Sequence, residues 1–328
     1  MDRLQEFIAL LRESPGYMSR QSLAKKAGIS RRAVWKHIRK LQQCGYNVES
    51  LHGQGYMLTG TTEYPVSWEL AKLLDTTFVG KGEMVYRQYA ESTQKIAIGL
   101  AEKGKVNAVV IAEQQSGGRG RMKRKWLSPK GGIWLSLVIK PAVPTVASTM
   151  LPFVAAVAVC DAIREATNLA ATLKWPNDVM VVGKKVAGIL LDLSAEAKTV
   201  NYAVIGVGIN ANFDASKLKI DRDGRPAVTS LKDELEGRDV NRLQLTKLLL
   251  EKIELFYLML EKNGPPAIIA EWRKRSDMMG KKVSVLQHGQ TYYGVAADVN
   301  NDGSLRVRTG TAAAGDMNVV SGDVLVIY

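Results

Sequence analysis

A glycine- and arginine-rich segment, residues 114–126, is the part of this sequence best suited to binding a charged small molecule. It interleaves three glycines with Arg119, Arg121 and Arg124 and ends at Trp126. Glycines let a backbone approach a ligand closely, and guanidinium groups form paired hydrogen bonds with phosphate and carboxylate oxygens. The segment lacks both the GxxxxGK[ST] phosphate loop and a dinucleotide fingerprint. It predicts an anion site of another type, with a plain basic surface loop as the alternative.

A second segment, residues 174–190, places charged side chains around a predicted hairpin. Its Pro-Asn pair favours a turn that would bring Asp178 and Lys185 to adjoining strand ends. A lysine beside a Val-, Ile- and Leu-rich strand could point into a partly desolvated cleft and neutralise charge during acyl-phosphate chemistry. The alternative is an ordinary hairpin salt bridge. A third segment, residues 206–212, ends a strand with glycines and two amides and is weak evidence by itself.

The middle of the chain, from residue 66 to about 276, must position these segments. Runs rich in Val and Ile predict strands, and longer amphipathic or apolar stretches predict helices. The two kinds of element interleave without strict βαβ order, so we predict an α+β domain with a mixed sheet. The predicted strands are 106–111, 133–139, 186–193 and 200–207, and the predicted helices are 92–103, 149–166 and 243–262.

Residues 1–62 have the pattern of a winged helix-turn-helix domain. Leu4, Phe7, Ile8, Leu10 and Leu11 recur at helical spacing, and a second helix, 21–27, opens at Ser19 or Arg20. Gly28 marks a tight turn, and Ser30 can cap a third helix, 31–43. Two short strands, 48–51 and 55–58, form a wing around residues 52–54.

The third helix predicts DNA binding because a helix fits the major groove and its basic side chains can hold phosphates. Val34, Ile38 and Leu41 are predicted to face inward, which leaves a basic outer face. The alternative is a small helical domain with a solvated basic surface. The candidate DNA-binding residues are Arg20, Gln21, Ser30, Arg31, Arg32, Trp35, Lys36 and Arg39.

The last part of the chain changes to short strands, at 283–285, 291–297, 305–308 and 324–328, with a turn at 300–303. About fifty residues bury little core alone, so this part is expected to pack on the middle domain. We predict an α+β protein of three domains: a winged helix-turn-helix at 1–62, a mixed-sheet catalytic domain at 63–276 and a small SH3-like β-barrel at 277–328.

Composition limits the possible partners and location. The net charge of +13 favours an anionic partner, and residues 1–62 hold ten Lys and Arg against four Asp and Glu. The apolar stretch 151–160 is interrupted by Asp161 and is too short to span a bilayer, and the N-terminus lacks a signal peptide's apolar core. Cys44 and Cys160 read as reduced thiols of a cytoplasmic protein. His37, His52 and His288 have no metal-ligand spacing, so neither structural zinc nor a histidine base is expected.

Taken together, the motifs resemble the bifunctional biotin–protein ligases that are also biotin operon repressors. The resemblance covers almost the whole chain, including the DNA-binding domain that single-function ligases lack. The GRGRxxRxW and KWPND elements are its most specific parts. The matching residues are Glu91-Ser92-Thr93, Gln115, Gly118-Arg119-Gly120-Arg121, Arg124, Trp126, residues 174–178, residues 185–188 and residues 206–210.

The resemblance implies a two-step reaction. Biotin and ATP form biotinyl-5′-adenylate, which a lysine of a biotin carboxyl carrier domain then attacks, and Mg²⁺ accompanies the triphosphate. It implies catalytic roles for Lys185, Arg119 and Arg121, with Asp178 in the same motif. The implied biotin and adenylate contacts are Ser92, Thr93, Gln94, Gln115, Gly118, Arg119, Gly120, Arg121, Arg124, Trp126, Lys185, Gly188 and Asn210.

Two positions depart from the family pattern. Gln94 stands where the family commonly has asparagine, and its longer side chain need not reproduce the asparagine contact. Gly117 stands where alanine is common, which should make the loop more flexible. Both changes bear on how firmly the adenylate is held.

Three other functions remain open: a lipoate–protein ligase, a transcription factor with a degenerate ligand domain, and a non-enzymatic nucleic-acid-binding protein. The intact arginine loop and Lys185 count against the second of these, and the 174–178 motif counts against the third. If the ligase reading holds, the adenylate would also be a corepressor. It would order loops, promote a two-fold homodimer and place two DNA-binding domains on a palindromic operator.

Overall fold

The N-terminal elements confirm the winged helix-turn-helix. The computed structural model describes residues 3–196, 199–218, 227–287, 289–309 and 315–327, so His288 lies outside the described residues. The elements are α1 (Arg3–Arg12), α2 (Arg20–Lys26), α3 (Arg31–Gln43), β1 (Val48–Leu51) and β2 (Gly55–Leu58). Ser19 and Ser30 cap α2 and α3 through their side chains, and Gly28 has a φ of +61°. Serine caps and a left-handed glycine thus set the turn, as the sequence predicts.

A short linker joins this domain to the rest of the chain through Tyr64. A Cβ at Gly45, just beyond α3, would lie 2.6 Å from the Tyr64 ring, so a glycine there lets the ring pack against the end of the helix. The Arg242 guanidinium lies 4.4 Å from the centroid of the same Tyr64 ring. Arg242 also donates to Glu113 (3.0 Å) and to the Gly132 carbonyl (2.9 Å), and Arg242 and Glu113 are both almost fully buried. The linker is therefore fixed between the two domains.

The middle of the chain forms a seven-stranded mixed sheet with helices packed on it. Its strand order is β3-β4-β5-β9-β8-β7-β6, with β3 and β4 parallel and the other neighbours antiparallel. The mixed sheet is confirmed, and most predicted bounds lie within three residues of the observed ones. The elements are α4 (Ser67–Leu73), β3 (Met84–Arg87), α5 (Thr93–Ala101), β4 (Val109–Ala112), β5 (Ile133–Ile139), α6 (Thr145–Ser148), α7 (Leu151–Thr167), β6 (Ala171–Lys174), β7 (Asp178–Val181), β8 (Lys184–Glu196), β9 (Thr199–Ile209), α8 (Leu231–Glu234), α9 (Arg242–Asn263) and α10 (Pro265–Arg275).

The apolar helical segment Thr145–Thr167 contains α6 and α7 and begins four residues before the predicted helix at 149–166. By length and composition it could cross a membrane, but 72% of its most apolar window is buried inside the protein. Helix α7 packs against α9, α10 and the sheet strands β6 to β9. Its apolar surface is therefore covered by the protein's own core, as in the central helix of a packed domain.

The C-terminal part forms a five-stranded antiparallel sheet in the order β13-β12-β11-β10-β14. Its strands are β10 (Lys282–Gln287), β11 (Gln290–Val299), β12 (Leu305–Arg308), β13 (Asp316–Val319) and β14 (Asp323–Val326). The two outer strands do not pair within the described residues, so the SH3-like barrel stays a prediction. The expected packing on the middle domain is confirmed, because residues of both sheets share one apolar core. The Trp175 indole N–H also donates to the Gly303 carbonyl at 2.8 Å.

Candidate active site

A cavity of about 370 Å³ brings the three candidate segments together. One wall is the arginine loop, with residues 119–122 and 124–127, and another is the turn between β6 and β7 with the start of β8. The predicted contact Gly118 lies at the base of the loop and is not among the lining residues. The floor comes from α5 and from β5, β8 and β9, and the C-terminal sheet closes one side with residues 322–325. The size and the mixed polar and apolar lining suit a small organic ligand carrying charge.

The arginine loop folds as a narrow hairpin. The backbone N–H of Trp126 donates to the Gly118 carbonyl at 2.9 Å, and the backbone N–H of Gly120 donates to the Arg124 carbonyl at 2.8 Å. At the tip, Met122 and Lys123 have φ values of +54° and +58°, a conformation that glycine adopts at less cost. The hairpin leaves the arginine side chains at the cavity edge.

The three arginines of the loop have different surroundings. Arg121 is half-buried, its Nη1 donates to Asn177 Oδ1 at 3.4 Å, and burial lowers the pKa of its guanidinium. Arg124 makes a two-point ion pair with Asp323 of β14, and this hydrogen bonding raises the pKa of Arg124. Arg119 is exposed beside the cavity. All three arginines line the cavity, and the Arg124 ion pair also connects the loop to the C-terminal sheet.

The β7–β8 hairpin brings Lys185 and Asp178 together, but it turns at residues 182–183, whereas Pro176 and Asn177 turn the chain between β6 and β7. Asp178 begins β7, Lys185 lies in β8, and the two side chains form an ion pair. The Lys185 ammonium also lies 5.1 Å from the centroid of the Trp126 ring. The hairpin salt bridge of the alternative reading is thus present, and it lies inside the cavity, where the lysine can also meet an anion.

Trp126 and two glycines form an apolar wall beside Lys185. A Cβ at Gly188 would lie 3.0 Å from the Trp126 ring, and one at Gly208 would lie 2.6 Å from its Nε1. Both positions must therefore lack a side chain for the indole to lie against the sheet. The indole N–H is buried and has no hydrogen-bond partner among the described residues, so it remains available as a donor.

Hydrogen bonds connect the predicted biotin contacts to one another. Ser92 caps α5, and the Thr93 backbone N–H and hydroxyl donate to Gln115 Oε1 at 2.7 and 3.1 Å. Gln115 Nε2 donates to Ser128 Oγ at 3.0 Å. On the far side, Asn210 is buried and donates to the Thr229 carbonyl at 2.9 Å. All four predicted residues, Ser92, Thr93, Gln115 and Asn210, line the cavity.

The two departures from the family pattern have structural reasons. Gln94 is buried and uses its extra length to donate to Asp192 Oδ2 at 2.9 Å. A Cβ at Gly117 would lie 3.1 Å from the Glu91 side chain and 3.2 Å from its carbonyl oxygen. Alanine at position 117 would therefore require Glu91 to move by a few tenths of an ångström.

The sequence patterns assigned no role to three residues that complete the site. Lys174 is buried at the cavity edge, burial lowers its pKa, and it has no hydrogen-bond or ion-pair partner among the described residues. Ser136 is a buried hydroxyl in the apolar run of β5, and such a polar interruption is a usable sequence signal. No local sequence pattern marks Asp323, because its partner Arg124 is 199 residues away.

The candidate DNA-binding residues lie on the exposed sides of two packed helices of the N-terminal domain. They occupy α2, α3 and the cap of α3, and these two helices pack against each other. Val34, Ile38 and Leu41 are buried, as predicted, and the Arg39 guanidinium lies 5.1 Å from the Trp35 ring centroid. All eight candidates are exposed: Arg20, Gln21, Ser30, Arg31, Arg32, Trp35, Lys36 and Arg39.

Comparison with known proteins agrees with this architecture. Residues 86–210 match the biotin/lipoate A/B protein ligase family, and residues 3–57 match a helix-turn-helix domain. The biotin protein ligase from Aquifex aeolicus, solved with biotin and ATP, has a TM-score of 0.62 and 25% sequence identity. The match covers 75% of this chain and 99% of that one. The fold and site thus define a ligase domain of the biotin and lipoate class, joined to a DNA-binding domain.

Full-length relatives specify the family further. The bifunctional ligase/repressor BirA of Bacillus subtilis (strain 168) is 33% identical over 295 residues, which is 89% of this chain and 90% of that protein. BirA of Escherichia coli (strain K12) is 25% identical over 301 residues, with 92% and 90% covered. The chain belongs to the family of bifunctional biotin ligase/repressors.

Proposed function

We propose that this protein activates biotin with ATP, transfers it to a lysine of a biotin carrier domain, and represses transcription by binding operator DNA. The observation that carries the enzymatic part is the single cavity that unites the arginine loop, Lys185 and the polar wall at Thr93 and Gln115. Biotin offers a carboxylate at one end and a polar ring at the other. The cavity offers fixed cations at one end and hydrogen-bonding groups at the other.

In the first step, a biotin carboxylate oxygen attacks the α-phosphorus of ATP, and pyrophosphate leaves. Arg119, Arg121 and Lys185 would offset the repulsion between the two anions and hold them in line. Asp178 would hold Lys185 through their ion pair. In the second step, the carrier lysine amine attacks the acyl carbon, loses a proton and displaces AMP.

The remaining predicted contacts divide between the two ends of the ligand. Ser92, Thr93, Gln94 and Gln115 would bind the biotin ring, while the Gly118–Gly120 backbone and Arg124 would hold the loop over the adenylate. Trp126, Gly188 and Asn210 would face the nucleotide end. Closure of the loop would keep the reactive anhydride from water.

Magnesium fits this scheme as a companion of ATP. The described residues contain no group of three or more metal-binding side chains, and the two cavity carboxylates, Asp178 and Asp323, are each paired with a cation. Mg²⁺ usually keeps several waters and binds through substrate phosphates. We infer that it enters as the magnesium–ATP complex.

The test of the enzymatic proposal is ATP–pyrophosphate exchange, driven separately by biotin, lipoate and octanoate. We expect exchange with biotin, a loss of about 10²-fold or more in Lys185→Ala, and none of that loss in Lys184→Ala, whose exposed side chain pairs with Glu234. Exchange with lipoate instead of biotin would show that the protein is a lipoate ligase. No exchange with any acid would leave a DNA-binding ligand sensor.

The DNA-binding proposal rests on the exposed basic surface of α2 and α3. Residues near the start of α3, Ser30, Arg31 and Arg32, would reach base edges, and Lys36 and Arg39 would contact phosphates. We expect Lys36→Ala to weaken binding to all sequences and to reduce the salt dependence by about one phosphate contact. An unchanged slope of log K against log salt would contradict this assignment.

We further propose that the adenylate promotes a homodimer, which binds a palindromic operator through two DNA-binding domains. The supporting feature is the fixed linker, where Tyr64 contacts both the end of α3 and Arg242 of the ligase domain. Light scattering and operator binding with and without biotin plus ATP test the idea. Dimerisation and affinity that are indifferent to the ligands would refute it.

We propose a division of labour among three domains, at 1–62, 63–276 and 277–328, for DNA binding, catalysis and loop support. The third would be an SH3-like barrel, and its supporting features are the five antiparallel strands and the Asp323 ion pair with Arg124. Because the proposed chemistry uses ATP and DNA, we infer that the protein works in the cytoplasm.

A further inference from the structure

A hydrogen-bond network runs from the buried cavity residues Ser136 and Gln94 to the partly buried Asp192. Asp192 lies in β8 directly opposite Val204 of β9, and it does not line the cavity in the described part of the chain. Its carboxylate accepts from Gln94 Nε2 at 2.9 Å, and the Val204 carbonyl accepts from the same nitrogen, also at 2.9 Å. Gln94 Oε1 accepts from the Ser136 hydroxyl at 2.8 Å.

The Asp192 carboxylate, together with the Val204 carbonyl, determines which way the Gln94 amide points. If the amide were reversed, Gln94 Oε1 would face Asp192 and the Val204 carbonyl, which are both acceptors. A Cβ at Gly206 would lie 2.6 Å from Gln94 Oε1, so the glycine provides the room that this amide occupies. The amide is therefore held with its oxygen toward Ser136.

The direction of the amide then determines the direction of two hydroxyl protons. The Ser136 hydroxyl lies within hydrogen-bond distance of Gln94 Oε1 (2.8 Å) and of Thr93 Oγ1 (2.9 Å), but it has one proton to donate. When the Ser136 hydroxyl donates to Gln94 Oε1, the Ser136 oxygen can accept a hydrogen bond from the Thr93 hydroxyl. Alternatively, the Thr93 hydroxyl donates to Gln115 Oε1. In either case the lone pairs of Thr93 Oγ1 are left for a ligand in the cavity.

We propose that Asp192 is a positioning residue for biotin recognition: through Gln94 and Ser136 it makes Thr93 a hydrogen-bond acceptor for an N–H of the cyclic urea. The inference rests on the proposed function and names a residue that acts from outside the cavity. A reversed Gln94 amide would make Ser136 donate to Thr93, and Thr93 would lose acceptor capacity toward the urea.

The experiment measures the biotin Kd by calorimetry and the KM values and kcat by pyrophosphate exchange. We expect Asp192→Ala to raise the biotin Kd and KM about tenfold, as for loss of a hydrogen bond to a charged group, with the KM for ATP and kcat within about twofold. Glu196→Gln, an exposed position on the same strand, is the matched control and should bind biotin normally.

Two further variants separate positioning from general structural damage. In a Thr93→Val background, Asp192→Ala should change the biotin Kd by less than about twofold, because its effect acts through the missing hydroxyl. The double variant Gln94→Asn with Asp192→Glu shortens one side chain and lengthens its partner by one methylene, so their combined length is kept. Its affinity for biotin should be higher than that of either single variant.

The outcomes distinguish this inference from the proposed function. A wild-type protein that does not bind biotin would overturn the proposed function and the inference with it. A wild-type protein that binds biotin, with equal affinity in Asp192→Ala, would overturn the positioning role alone. An equal loss on Asp192→Ala with and without the Thr93 hydroxyl would also overturn it, because Asp192 would then act by another route.

Discussion

Gly118 is the position where the smallest change should most clearly displace the arginine loop. A Cβ at Gly118 would lie 2.5 Å from the Trp126 carbonyl oxygen and 2.7 Å from Ser128 Oγ. Non-bonded atoms attract at about 3.5 Å, so Gly118→Ala must open the base of the hairpin by about 1 Å. The Ser128 hydroxyl can rotate away, but the Trp126 carbonyl oxygen belongs to the backbone of the hairpin and cannot.

The displacement has two separable costs. The hydrogen bond from the Trp126 N–H to the Gly118 carbonyl is lengthened or lost, which costs about 1 kcal/mol of stability. That amount lowers Tm by about 2–4 °C for a domain of this size. Because the loop carries Arg121, and a misplacement of about 1 Å can cost about 10²-fold in rate, we expect biotin-dependent exchange to fall by that order.

The comparison variant is Gly120→Ala in the same hairpin. Its added Cβ would meet one atom, the Arg124 carbonyl oxygen, at 3.9 Å, and its φ of −105° suits any residue. We expect a much smaller loss of exchange, within about threefold. Equal activities of the two variants in pyrophosphate exchange, at matched thermal stability, would refute the assignment of the loop to the active site.

Three further outcomes follow from the structure. Arg124→Ala and Asp323→Ala should be non-additive in a double-mutant cycle on Tm and exchange, with about 1 kcal/mol of coupling. Simple additivity would contradict a role of this ion pair in holding the loop. Burial alone would raise the pKa of Glu254, but backbone N–H bonds from the loop before β3 hold it below its ordinary value of 4.5. Its stabilising effect is therefore present above pH 4.5 and lost as the pH falls through the lower folded value. Acid titration of stability should be shallower in Glu254→Gln, and an identical titration would contradict this. Arg242→Ala leaves Glu113 buried and unpaired, so urea unfolding should show a loss of about 3–5 kcal/mol, and a loss below about 1 kcal/mol would argue against the buried pair.

Local chemistry explains why the sequence predicted the N-terminal domain so closely. The caps at Ser19 and Ser30, the left-handed Gly28 and the inward residues of α3 depend on neighbours within about four positions. The hairpin that joins Asp178 to Lys185 depends equally on a short turn. Such features are visible in a sequence because the interacting groups are close along the chain.

Long-range contacts could not be predicted from the sequence, because the fold must first bring both partners together. The Gln94–Asp192 contact spans 98 positions, and the Arg124–Asp323 pair spans 199. The short helix α6 was not predicted, although α7 ends within one residue of the predicted end at 166.

The sequence by itself determined the helix-turn-helix domain and the mixed sheet, and it pointed to the arginine loop and to Lys185, because glycine, arginine and capping residues act through local geometry. Only the tertiary structure buried the Lys174 side chain with no hydrogen-bond or ion-pair partner among the described residues. It alone also joined the C-terminal sheet to the arginine loop and placed Asp192 beside Gln94. Burial and long-range pairing depend on which strands become neighbours. The order β5-β9-β8-β7-β6 is a property of the whole sheet that no single segment specifies.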